Sequence, residues 1–177
     1  MKQSSVRRVV VSVTTCLVLV SPYVYGAGDE GLSKSTPMVR ITPSGDSLEL
    51  VLPRDSGTPV KETIPIHRAG SIRYFSAGVG IEERSVQYPS FPLKLVFVAG
   101  PKAYLSLVSV TITDKEGKLH LQIPSKHVTG PWLFLDLPPG NYDISAEGPG
   151  KDSIKEHVTL SAKETKTIYL RWKGETA

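Results

Sequence analysis

From Met38 onward, apolar and polar residues alternate in short runs separated by turn-forming clusters, a period of two that fits half-buried strands. Val39 and Ile41, then Leu48, Leu50 and Leu52, predict two strands joined by a hairpin turn at Pro43-Ser44-Gly45-Asp46. Pro53 to Pro59 reads as a loop, and Val60 to Ile66 resumes an extended pattern in which Pro65 restricts the strand to a sheet edge. Ser71 to Ser76 predicts another strand. Gly78-Val79-Gly80 then breaks the pattern, and Ile81 to Tyr88 holds the one plausible helix, with Glu82 and Glu83 in its first turn and Pro89 and Pro92 ending it.

The C-terminal half is more regular. Leu93 to Val98 is almost continuously apolar, as a central strand requires. Val108, Val110 and Ile112 point one way and Ser109, Thr111 and Thr113 the other, before Asp114-Lys115-Glu116-Gly117 closes a hairpin onto Leu119, Leu121 and Ile123. Between Trp132-Leu133-Phe134-Leu135-Asp136 and Tyr142-Asp143-Ile144-Ser145-Ala146 stands Leu137-Pro138-Pro139-Gly140-Asn141-Tyr142. Pro139 presets a turn there and Gly140 can take the positive φ that the next position of a tight turn often demands, so that the chain reverses. Ile154, Val158 and Leu160 form one further apolar row and, after the Ser161 to Glu164 turn, Ile168, Leu170 and Trp172 form another. Each row must meet a partner sheet, which predicts an all-β, Ig-like antiparallel sandwich with extra N-terminal strands and one short helix.

Residues 1–26 read as a signal peptide: Lys2, Arg7 and Arg8 precede an apolar run from Val9 to Val20, with cleavage expected after Gly26. That run is shorter than the roughly 20 residues of a membrane-spanning helix, and no transmembrane helix is expected in the mature form. Residues 27–37 carry hardly an apolar anchor and read as a flexible segment. Residues 38–92 hold the N-terminal strands and helix, 93–172 the sandwich, and 173–177 a C-terminal tail. The expected location is the periplasm or the exterior.

Loss of Lys2, Arg7 and Arg8 with the leader leaves 18 basic against 17 acidic side chains, so the net charge of +4 falls to +1. No basic footprint for nucleic acid remains. The one cysteine, Cys16, lies inside the leader, which removes thiol catalysis and disulfides from the mature chain. Thr15 is large for the position before a lipidated cysteine, and the apolar run continues past Cys16, so lipidation is not expected.

The Asp114 to Gly117 hairpin, the Leu137-Pro138-Pro139-Gly140-Asn141-Tyr142 turn, the Gly148-Pro149-Gly150-Lys151 loop and the ending Thr167-Ile168-Tyr169-Leu170-Arg171-Trp172 together resemble the carboxypeptidase regulatory-like domain. The resemblance covers Leu93 to Trp172 and departs from the family at Tyr104-Leu105-Ser106-Leu107, where a glycine-valine opening is usual. It implies a transthyretin-like sandwich and an accessory, non-catalytic role. Hydroxyisourate hydrolase shares that fold, but its C-terminal Tyr-Arg-Gly-Ser is replaced here by Arg171-Trp172-Lys173-Gly174, and its activity is not transferred.

His67, His120, His127 and His157 lack the spacing that brings imidazoles together on one strand or turn, and read as surface or hydrogen-bonded residues; no metal and no cofactor is expected. No Gly-x-Ser-x-Gly elbow is present, and Asp136 and Asp143 read as solvent-facing, so no catalytic residue is assigned. The candidate contact surface is Glu82, Glu83 and Arg84 on the helix with Trp132 and Tyr142 about the Pro-Pro-Gly turn. The expected partner is another envelope or secreted protein; a small ligand or glycan is the alternative, and hydrolysis a more distant third.

Overall fold

The computed structural model describes residues 37–54, 58–101 and 103–173. The leader with Cys16, residues 27–36 of the N-terminal segment and residues 174–177 of the tail lie outside the described residues. The fold is an all-β sandwich with one short helix, and its strands form three sheets.

The first sheet is antiparallel and joins β1 (Met38–Ile41), β2 (Ser47–Leu52) and β3 (Val60–Pro65) in chain order. Pro65 sits on the outer strand of that sheet, as its missing N–H demands. The second and largest sheet contains β4 (His67–Ala69), β5 (Ile72–Ala77), β6 (Leu93–Ala99), β7 (Ala103–Tyr104), β10 (Trp132–Leu135) and β13 (Lys166–Trp172). Its order is β13-β6-β10-β5-β4, with β7 pairing the end of β6. The third sheet has the order β12-β11-β8-β9, built from β8 (Ser109–Asp114), β9 (His120–Ile123), β11 (Gly140–Glu147) and β12 (Ser153–Leu160).

The large sheet is the middle layer, because both of its faces are apolar over β5 and β10. Leu133 and Leu135 join Ile72, Tyr74, Leu93, Leu95 and Phe97 in a core against Val110, Ile112, Tyr142, Ile144 and Val158 of the four-stranded sheet. From the opposite face Phe75, Ala77 and Phe134 pack with Leu48, Leu50, Leu52 and Ile64 of the three-stranded sheet. Each fully buried large apolar side chain stabilises the fold by about 1.5–3 kcal/mol, so both interfaces are substantial. β4 and β5, from the 38–92 segment, are thus hydrogen-bonded into the same sheet as β6, β10 and β13.

Four local expectations change. β13 runs parallel to β6, with Lys166 beside Leu93 and Trp172 beside Ala99, so the sandwich is not wholly antiparallel. β10 and β11 do not pair with each other; Leu137 to Pro139 is a corner that carries the chain from the middle sheet to the four-stranded one. Gly140 does not have a positive φ. Its lack of a side chain serves a close approach instead, since a Cβ there would stand 3.2–3.3 Å from the Tyr142 ring and hydroxyl. Finally, the helix α1 spans only Gly80–Ser85 and ends before Pro89. Among the described residues no helix is long and apolar enough to cross a membrane.

Candidate contact surface

The structure separates the five candidate residues into anchors and surface. Tyr142 is buried, and its hydroxyl donates to the Pro138 carbonyl at 2.8 Å. It is a correction to the contact surface: the ring fills the core and its polar tip fastens the corner four residues upstream, as in a tyrosine corner. Glu83 is the second correction. Its side chain is buried and folds back so that Oε2 accepts from Gly78 N at 2.7 Å and Val79 N at 3.0 Å, satisfying donors that the start of α1 leaves open. Its Oε2 is thereby occupied by backbone amides.

Glu82 is exposed. It borders an open cleft of about 720 Å³ whose other lining residues include Arg54, Glu62, Val79 and Glu83. Arg84 is half-buried and ties α1 to the middle sheet: Nη1 donates to the Gly78 carbonyl at 3.0 Å, and the guanidinium lies 5.2 Å from the centre of the Tyr104 ring. Trp132 is half-buried. Lys94 Nζ stands 3.3 Å above its ring centre, and Gly78 packs on its other parts so closely that a Cβ there would be 3.0 Å away. Burial in this aromatic setting pushes the Lys94 ammonium below its ordinary pKa.

Two aromatics outside the five candidates, Tyr104 and Tyr169, are 50% and 61% exposed. Strand register places both on the face of the middle sheet that also carries Trp132 and Phe134, opposite the four-stranded sheet. Tyr169 lies beside Val96, which lies beside Trp132, and Tyr104 lies beside Val98, which lies beside Arg171. Val79, at the N-terminal cap of α1, and Ile81, in its first turn, also carry exposed side chains. The signal was present in the sequence: Tyr169 and Arg171 alternate with the core row Ile168, Leu170, Trp172, so they had to face away from it.

Sequence reasoning missed a histidine pair brought together by the fold alone. His67 on β4 and His127, on the 3₁₀ turn Ser125–His127, stack with ring centres 3.9 Å apart and planes within 2°. The Tyr74 hydroxyl meets His127 Nδ1 at 2.9 Å. Burial, and secondarily the neighbouring His127 ring, hold the His67 pKa below its ordinary value. Their parallel planes point the ring nitrogens side by side rather than at a common point. His120 and His157 are exposed, as expected, and His157 pairs with Asp143 at 2.9 Å. Asp136 is not merely solvated; Arg73 grips its Oδ2 at 2.6 and 3.0 Å.

No family model, curated protein or solved structure matches the chain.

Proposed function

We propose that this chain is an exported, non-catalytic interaction module of the cell envelope, of the carboxypeptidase regulatory-like kind, and that it contacts another protein through the β7 and β13 part of the middle sheet's face opposite the four-stranded sheet. The observation that carries this reading is the placement of exposed Tyr104 and Tyr169 on one face of that sheet with half-buried Trp132, Arg84 lying against the Tyr104 ring. Aromatic residues and arginine are the side chains that dominate protein interfaces. The non-catalytic part is supported by the employment of the conspicuous acids: Glu83 is held by backbone amides, Asp136 by Arg73 and Asp143 by His157. Export is supported by the basic, apolar and small-residue order of residues 1–26. A glycan platform fits less well, because Tyr142 is buried and Trp132 is covered by Lys94 and Gly78.

The test places a photo-crosslinking phenylalanine analogue at Tyr104 and, separately, at Thr111 on the outer face of the four-stranded sheet, in cells producing the full chain. A discrete cross-linked protein is expected from position 104 and none from position 111. Equal labelling from both positions, or none from either, overturns the reading.

A further inference from the structure

We infer that the free edge of β13 accepts an extended segment of the partner, and that this segment carries carboxylates on the side facing Arg171. The inference rests on the protein-contact reading above and names the kind of partner it serves.

The backbone supplies the first half of the argument. Lys166 N donates to the Pro92 carbonyl at 2.8 Å, and the Trp172 carbonyl accepts from Gly100 N at 2.9 Å. The even-numbered residues at both ends of β13 therefore aim their peptide groups at β6. Successive residues of a strand alternate in this respect, so Thr167, Tyr169 and Arg171 aim their N–H and C=O groups the other way. β13 is the last strand of its sheet, and among the described residues nothing pairs with that side. Seven residues long, it lacks proline and presents its unpaired groups in a regular row, which is the template for strand addition.

Side chains supply the second half. The same odd-numbered residues are exposed on the face opposite the four-stranded sheet, where Thr167 lies beside Lys94, Tyr169 beside buried Val96 and Arg171 beside buried Val98. Those six include two cations and no acid. Arg171 donates to the Gly100 carbonyl and Lys94 rests on Trp132 and Phe134, so neither charge is neutralised by a carboxylate among the described residues. Ion pairs among the described residues lie elsewhere, as at Arg40–Glu49, Lys61–Glu49, Arg73–Asp136, Lys118–Glu116 and His157–Asp143. An added strand with acids on the face that carries Arg171 meets complementary charge, and its residue opposite Tyr169 gains an aromatic neighbour. A second copy of this chain fits worse. Antiparallel pairing about Tyr169 brings each Arg171 opposite Thr167 of the other copy and offers it no carboxylate.

The experiment uses the full chain freed of its leader, with two fluorescein-labelled peptides as probes, four Thr-Glu repeats and four Thr-Lys repeats. Fluorescence anisotropy is expected to show the acidic peptide binding about tenfold or more tightly than the basic one. Thr167→Pro deletes an outward N–H while leaving the β6 ladder intact, and proline is tolerated on edge strands. It is expected to weaken the acidic peptide about tenfold with an unchanged circular dichroism spectrum, and Arg171→Glu is expected to reverse the peptide preference. Amide exchange read by NMR supplies a measurement independent of mutation: Thr167, Tyr169 and Arg171 exchange fast in the free chain and slow when the acidic peptide is added. Equal affinity for the two peptides, or no slowing at those three amides, overturns the inference. If cross-linking at position 104 persists in that case, the contact reading stands and only the strand-edge mechanism fails; loss of both removes both.

Discussion

The middle sheet has two edges, and they are finished differently. At one end β4 is only three residues long; Arg68 reaches from it to the Gly45 carbonyl at 3.3 Å, and His67 is stacked against His127. At the other end β13 is seven residues long with alternate peptide groups left open. Its side chains even serve a neighbouring edge, since Lys166 Nζ donates to the Thr159 carbonyl at 3.3 Å and Trp172 Nε1 to the Asp152 carbonyl at 2.6 Å, both beside or on β12. Natural sheets blunt their edges by shortening, charge or cover. A sheet closed at one edge and left long and open at the other makes the open edge the place where the proposed strand addition is to be tested.

The largest expected effect breaks the support of the closed edge. Phe75, on β5 next to β4, stacks on Phe134 at 4.6 Å and meets Phe91 edge-on at 5.0 Å. Phe75→Ala should cost about 3–5 kcal/mol in urea denaturation, while the equivalent loss at exposed Tyr169 should not. A pH titration sharpens the same contrast. The folded-state pKa of His67 lies below its unfolded value near 6.5, so the unfolded chain binds the proton first. The stability contributed by the His67 stack is therefore complete above that value and is lost as pH falls through it toward the depressed folded pKa. The melting temperature should drop between about pH 7 and pH 5, and His67→Gln should flatten that slope. The smallest effect concerns the open edge: Tyr169→Ser should shift unfolding free energy by no more than about 0.5 kcal/mol yet abolish cross-linking to the partner.

The strands were legible where one face met the core and the other met water. In β8 and β11 alternate residues are buried and the intervening ones are exposed or half-buried, as their parity predicted. β10 was harder, because it is buried on both faces and its four residues contain no polar marker of layer order. The partner of β13 was not legible, since periodicity reports which face is buried and carries no information on strand direction or neighbour. Of the contact residues, Glu82 and Arg84 remain accessible or half-accessible and Trp132 is half-buried. Glu83 and Tyr142 failed because each satisfies a local backbone group, and a charged or phenolic side chain looks identical in sequence whether it turns inward or outward. The His67–His127 pair joins residues far apart in the chain, beyond any spacing rule.

One consequence follows from β10 being shared by both hydrophobic cores. A strand whose two faces belong to different layers cannot let go of one without disturbing the other, so the layers are mechanically coupled through it. A fragment beginning at Leu93 would lose β4 and β5, lay bare the flank of β10 and strip cover from Phe134. The resemblance ends at a boundary in sequence, but the smallest unit able to melt as a whole extends well upstream of it.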